Sequence, residues 1–430
     1  SSVYNMNYKV NFEKKGHSLE LEATFSNSKQ PEIATYSQLI NPSSFSNVIK
    51  NDRDNTLFNI DYTNPVTENG KVELGAEVRI NKTSNMNTTT QPGFNNSSFT
   101  YDRKIYSTYF NYGYKMNKIT MQLGVRAELY IVEGMFNEVT KASASYKDDI
   151  LSLYPSAFVT YSASEKNQWQ FSYSRRVDRP SIQQVNPIRE WSTPLVTSLG
   201  NPNLLPQFTN SFEVNYTRQI KGGSITVGTF FRRVNDEIST ILYKDPNDPT
   251  NTKQIKSDTN FDGNNRYGLE MSTNYKIANW WRVNGSLDFY SQKVKGLVAN
   301  VQSEVTNTAF NVRLSNSFTA TKNLRFQLFA MYRGANKDLQ FNASEMYMVN
   351  TGASYRVLDG KGNFTLRVND IFNTMKFGFS TTTPYTQHGQ FQGESQSAYI
   401  GFDYRFGGGK NRAKGRRNRD NNEKKGGGFL

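Results

Sequence analysis

The chain has no cysteine and only two histidines, His17 and His388. The first absence excludes a disulfide framework, a thiol nucleophile and a thiolate metal site. The second excludes a multi-histidine metal centre and confines a histidine-based triad to one of two scattered residues. Long apolar runs are missing too. The longest, residues 328–332, falls far short of the ~18 residues a membrane helix needs. A mean hydropathy of −0.69 reads as soluble. It eliminates only helical spans, because a transmembrane β-barrel faces lipid with every second residue and keeps polar ones on the lumen side. The N-terminal Ser1, Ser2, Val3 and Tyr4 carry no basic-then-apolar signal, so the chain reads as mature or as a fragment. What is abundant is aromatic, with 25 Tyr and 29 Phe, and basic, with 51 Lys+Arg against 37 Asp+Glu for a net +14.

Alternation dominates the 430 residues. Over residues 71–81, Val72, Leu74, Ala76, Val78 and Ile80 alternate with Lys71, Glu73, Gly75, Glu77 and Arg79. Over residues 119–131, Ile119, Met121, Leu123, Val125, Ala127, Leu129 and Ile131 alternate with Thr120, Gln122, Gly124, Arg126 and Glu128. A period of two is the signature of strands. Many such runs exceed the ~5–6 residues usual in soluble strands and match the ~9–11 needed to cross a bilayer on a tilt.

Short connections rich in Gly, Asn or charge, such as Thr67-Glu68-Asn69-Gly70, Met116-Asn117, Lys221-Gly222-Gly223 and Thr321-Lys322-Asn323, alternate with long polar ones at residues 176–209 and 244–265. Short turns at one rim and long loops at the other are the pattern of bacterial outer-membrane barrels, with the turns periplasmic. A β-sandwich shares the alternation but not this asymmetry. Tyr106, Phe110, Tyr112 and Tyr114 share one strand face, as expected of interfacial girdles.

Downward strands are predicted to begin near Tyr4, Leu57, Tyr106, Leu151, Ser211, Tyr267, Thr306, Tyr347 and Ala398. Upward strands are predicted near Leu19, Val72, Ile119, Trp169, Ile225, Trp281, Leu324 and Phe364. The fold class is therefore all-β, a transmembrane antiparallel up-and-down barrel with about 17 strands in this chain. An odd count that opens downward implies further strands upstream, because an unpaired edge in hydrocarbon costs several kcal/mol per group.

The run Tyr173, Ser174, Arg175, Arg176, Val177, Asp178, Arg179, Pro180, followed by Asn186-Pro187, by Gly200, Asn201, Pro202, Asn203, Leu204, Leu205 and Pro206, and by Glu213, resembles the TonB-dependent-receptor-like outer-membrane β-barrel family common in Bacteroidota. Trp280-Trp281, Asn369-Asp370-Ile371-Phe372-Asn373 and the terminal Tyr404-Arg405-Phe406 are of the same type. The resemblance implies a barrel of about 22 strands preceded by a carboxypeptidase-regulatory-like domain, a plug and a TonB box, none of which is in this sequence. It further implies nutrient uptake or a receptor role when the barrel is joined to a plug, with TonB as partner if such an upstream region exists. The alternative is a non-transporting barrel serving as a scaffold subunit beside partner outer-membrane proteins or lipoproteins. Outer-membrane lipid and lipopolysaccharide would surround the wall. Phe406 is expected to end the last spanning strand, and an assembly-signal role for it is implied by resemblance.

Phase and energy place Glu73, Glu77, Arg79, Arg126, Glu128, Arg282, Asp288, Arg325, Arg367, Asp403 and Arg405 toward the lumen, since an Arg on the lipid face near the midplane costs roughly 2–4 kcal/mol. Pro and Gly in the GNPNL stretch read first as turn formers. Asp258, Asn260 and Asp262, ahead of Gly263, fit half of a Ca²⁺ loop, but position 269 is Leu where the closing Glu belongs. An ordinary Asn/Asp-rich loop is the plainer reading, and no other cofactor is expected. No catalytic constellation appears, so no enzyme activity is expected. Residues 1–406 form the expected barrel. Residues 407–430 carry eight basic against two acidic residues without interleaved aromatics, which reads as a disordered periplasmic tail and not as a nucleic-acid site.

Overall fold

The computed structural model describes residues 1–38 and 43–406, so the expected tail at 407–430 lies outside the described residues. The main body is a 19-stranded sheet, of which two short strands, Glu190–Thr193 and Val196–Ser198, belong to an inserted loop. The remainder is an antiparallel meander. Its strands are β1 (Ser2–Asn11), β2 (Ser18–Gln38), β3 (Ser43–Asn64), β4 (Gly70–Thr89), β5 (Ser97–Met116), β6 (Ile119–Glu138), β7 (Lys141–Ser164), β8 (Asn167–Asp178) and β9 (Gln207–Ile220). The chain continues with β10 (Gly223–Lys244), β11 (Gln254–Ala278), β12 (Trp281–Val298), β13 (Val301–Thr319), β14 (Leu324–Arg333), β15 (Met346–Val357), β16 (Gly362–Asn369) and β17 (Ser397–Tyr404). Each strand pairs with the next. Among the described residues, β1 pairs along one edge with β2 and β17 along one edge with β16.

Upward strands start where alternation puts them: β6 at Ile119, β12 at Trp281, β14 at Leu324 and β2 one residue early at Ser18. Several downward strands start much earlier than the sequence reading has them. β5 begins at Ser97 and not near Tyr106, β7 at Lys141 and not near Leu151, and β11 at Gln254 and not near Tyr267. The expected loop at 244–265 is correspondingly corrected, because only residues 245–253 lie between β10 and β11. The cause is physical. Above the bilayer neither face of the sheet meets lipid, so polar residues stand on both faces and the alternation fades while backbone pairing continues.

Strands of 20 to 25 residues therefore rise well beyond the ~9–11 that span hydrocarbon. Several end in tight tips, such as the Ala299-Asn300 turn, where both residues take positive φ. Two broader external connections, at 334–345 and 370–396, join through a small four-stranded sheet of Asn336–Lys337, Asn342–Ala343, Phe377–Thr381 and Gln387–Phe391.

Rings cluster at the lower ends of the strands. The Trp169 ring lies 4.7 Å from Tyr216, Trp280 6.1 Å from Phe318 and Phe364 4.5 Å from Phe402. An interfacial girdle has this placement. Phe406 lies two residues past the end of β17, against Tyr404 at 6.4 Å, so the last paired strand stops short of it.

The external connection at 179–206 turns inward. It carries a short helix, Ile182–Val185, and packs Val185, Ile188 and Leu204 against Phe99 and Ile105 of β5, Tyr130 and Val132 of β6 and Ile238 of β10. Among the described residues this is the larger of two buried apolar clusters. It forms because β5, β6 and β10 carry apolar side chains on their inward face above the charged belt.

Candidate functional site

Residues directly opposite on antiparallel strands share a face. Val78 stands opposite Phe58 and Tyr106, which are 55% and 39% exposed. Its neighbours Glu77 and Arg79 are 6% and 8% exposed. Leu123 and Ile400 are also exposed, whereas Glu128 is buried. Greasy outside and ionic inside is the reverse of a soluble domain and the arrangement of a lipid-embedded wall.

The inward ions form a network on β4, β5 and β6. Arg126 donates from Nε to Glu128 Oε1 at 2.5 Å, and from Nη2 to Glu77 Oε1 at 3.2 Å and Ser107 Oγ at 2.6 Å. Arg79 Nη2 lies 3.3 Å from the same Glu77 oxygen. Arg179, delivered by the inserted loop, donates to the other Glu128 oxygen and lies 5.2 Å over the Tyr130 ring. A second cluster sits on β9 to β11, where Arg232 Nη2 bridges Glu213 Oε1 at 3.0 Å and Glu270 Oε1 at 3.1 Å. Between the two clusters lies a cavity of about 470 Å³, bordered by Arg126, Arg175, Arg176 and Arg232 against Glu128, Asp178 and Glu213.

Of the other lumen candidates, Glu73, Arg282, Asp288, Arg325, Arg367 and Asp403 share this inward face but not the network. Glu73 pairs with Lys71 at 2.6 Å, and Arg282 donates to Asn274 Oδ1 at 3.3 Å. Asp288 stands opposite Glu270 and Asn311. Arg325 opposes Ser354, Arg367 opposes Tyr399 and Asp403 opposes Asn363, all three exposed. Arg405 lies past β17, and its backbone N–H donates to Lys361 O at 2.7 Å.

The motif residues mostly build the inserted loop. Arg175 lies 4.9 Å over Phe208. Pro180 is fully buried. Gly200 packs so closely that an added Cβ would stand 2.4 Å from Asn186 O. Asn201 donates its backbone N–H to Gln184 O at 2.7 Å, its side chain caps Asp258 O at 3.1 Å, and its Oδ1 accepts from Asn203 N at 3.0 Å. Pro202 sits between them, and Leu204 and Pro206 are buried.

In the external connection at 370–396, Asp370 accepts from Thr374 N, Met375 N and Ser395 Oγ, Asn373 takes positive φ, and Phe372 is 65% exposed. Burial alone would raise the Asp370 carboxyl, but the Ser395 hydroxyl and the Met375 and Thr374 amides outweigh it and hold the group below its ordinary range.

Asp258, Asn260 and Asp262 lie in extended β11, not in a loop. Asp258 accepts from Thr240 Oγ1, Asn260 joins Leu205 and Asp236 O, and Asp262 accepts from Gln302. The three side chains thus have separate partners and do not converge.

Sequence reasoning missed two groups. Arg179 stood inside the motif without a role. The upper carboxamides Asn51, Asn85 and Asn87 were also passed over, although Asn at every second position over residues 81–87, broken once, was their signal.

The fold resembles solved outer-membrane receptors. These include the siderophore receptor PiuA from Acinetobacter baumannii (TM-score 0.68, 13% identity, 94% of this chain and 64% of that one). The ferric yersiniabactin uptake receptor FyuA from Yersinia pestis gives 0.68, 9%, 94% and 61%. The ferric-catecholate import receptor Fiu from E. coli K12 gives 0.65, 14%, 94% and 64%. The chain spans less than two thirds of each, and at these identities the likeness is one of fold. No curated protein matches the chain by sequence. Residues 10–404 match the sequence model of the outer membrane protein beta-barrel family, and the chain therefore belongs to that family and is an integral protein of the outer membrane.

Proposed function

We propose that this chain supplies most of the wall of a nutrient-uptake receptor, in which solute captured at the external mouth passes a lumen gated by a plug and energised through TonB. The reading is carried by the inward face. Beyond its paired ions it presents buried polar atoms, Arg179 Nε, Arg266 Nε and Arg333 Nη2, that have no hydrogen-bond partner among the described residues. Donors of this kind suit a polar body seated in the lumen, since leaving each unmet costs roughly 1–3 kcal/mol. The single-edged pairing of β1 and β17 favours completion by further strands. The tall external strands would stand among lipopolysaccharide. The solved structures of similar fold are a siderophore receptor, an uptake receptor and an import receptor, which accords with transport and not with an enzyme.

Mass measurement of the intact polypeptide from native outer membranes tests the reading. A product much heavier than 49.1 kDa, able to hold a plug, is expected. A native product of this length would overturn transport and leave a non-transporting scaffold subunit.

A further inference from the structure

At the external mouth the inward face changes character from ionic to carboxamide. Asn51 on β3 stands directly opposite Asn85 on β4, and Asn87 follows on the same face. Asn85 and Asn87 are 9% and 7% exposed. The Oδ1 atoms of Asn51, Asn85 and Asn87 and the Nε of Arg53 are all buried without a hydrogen-bond partner. All four residues border one cavity of about 280 Å³, closed on its far side by the inserted loop at Trp191 and Gly200. Trp191 is fixed there by aromatic contact, its ring centroid 4.6 Å from Tyr36 and 5.8 Å from Phe45. Four unmet polar atoms around one space, with a held indole beside them, form a built site.

The unmet atoms define what fits. Three carbonyl oxygens call for donors, and the Arg53 N–H calls for an acceptor. A strongly charged ligand of either sign is poorly served, because the lining carries both signs, Arg53 against Glu32 and Glu190. Hydroxyl groups supply donor and acceptor together, and the match survives either orientation of each carboxamide. The C–H face of a sugar ring adds an apolar surface for the indole. We propose that this cavity binds a neutral, hydroxyl-rich ligand, namely the end of a saccharide. The proposal deepens the uptake reading by naming a substrate class, but binding requires neither plug nor energy and is tested separately from native mass.

The native polypeptide, purified in detergent, is applied to a broad array of neutral glycans, and the best ligand is titrated by calorimetry. Retention of at least one neutral glycan is expected. Asn85→Leu and Asn87→Leu should each weaken binding about tenfold, the loss of roughly one to two neutral hydrogen bonds. Trp191→Ala, which lies on the loop and leaves the wall intact, should weaken it similarly. All three variants should keep the slower gel migration on boiling that marks a folded barrel. No retention on the array, or equal affinity in wild type and Trp191→Ala, overturns the proposal and leaves a water-filled cavity or a seat for another part of the receptor.

Discussion

Arg179 on the inserted loop donates its guanidinium Nη2–H to Glu128 on β6, across 51 positions of sequence, with side-chain exposures of 2% and 4%. The contact joins the loop that fills the upper lumen to the ionic belt of the wall. Glu128 also holds Arg126, which holds Glu77, which holds Arg79, so one carboxylate anchors a chain of charges.

Replacing Glu128 with Gln should therefore leave the buried Arg179 without its carboxylate, while Arg126 keeps Glu77 and Ser107. Breaking a buried pair from one side costs roughly 3–5 kcal/mol. The temperature at which the unboiled barrel loses its fast gel migration should fall, and trypsin should cut the 179–206 loop sooner. An unchanged unfolding temperature with an unchanged cleavage rate would count against the network.

Gly200→Ala isolates the loop from the wall. A methyl group there would meet the Asn186 backbone at 2.4 Å from O and 2.6 Å from N. The neighbour is main chain and gives little, so the loop should be destabilised by roughly 1–3 kcal/mol. Proteolysis after Arg189 should quicken while the heat-induced gel shift stays as in the wild type.

Two substitutions at adjacent positions test the phase of β6. Leu123→Arg puts a charge on the lipid face near the middle of the spanning segment and should cost roughly 2–4 kcal/mol in urea titrations of folding into vesicles. Gln122→Arg, on the inward face, should be close to neutral. Equal costs would mean that the two faces have been exchanged or that neither meets lipid.

Acid should loosen the 370–396 connection. Because the folded Asp370 carboxyl lies below its unfolded value, its stabilisation is fully present above the unfolded value of about 3.9 and is lost as pH falls through the folded one. Amide exchange in this segment, corrected for intrinsic rates, should be steady from neutral pH down to about pH 5 and accelerate below about pH 4. Asp370→Asn should exchange faster at neutral pH and respond less to acid.

What was legible in the sequence follows from where solvent changes. Inside the bilayer, each residue of β4 or β6 meets either hydrocarbon or lumen, so Val78 and Arg79 are forced into alternation. Upward strands leave the periplasmic turns directly into lipid, which is why Ile119, Trp281 and Leu324 mark their starts without error. Above the bilayer that constraint ends. The outer halves of β5, β7 and β11 read as polar loop although they are continuous ladder, and Asp258, Asn260 and Asp262 looked like a turn because nothing local distinguishes an oxygen-rich strand from one.

By itself, then, the sequence determined the period, the count of strands and the side of each strand that bears charge, because these are set by one residue meeting one solvent. Only the tertiary structure decided that Arg179 reaches Glu128, that Gly200 lies on Asn186, and that Asn51, Asn85 and Asn87 surround a single space with Trp191. The first and last of these join positions far apart in the chain, and the second closes the inserted loop on itself. They depend on a loop folding inward onto a wall, which no local pattern encodes.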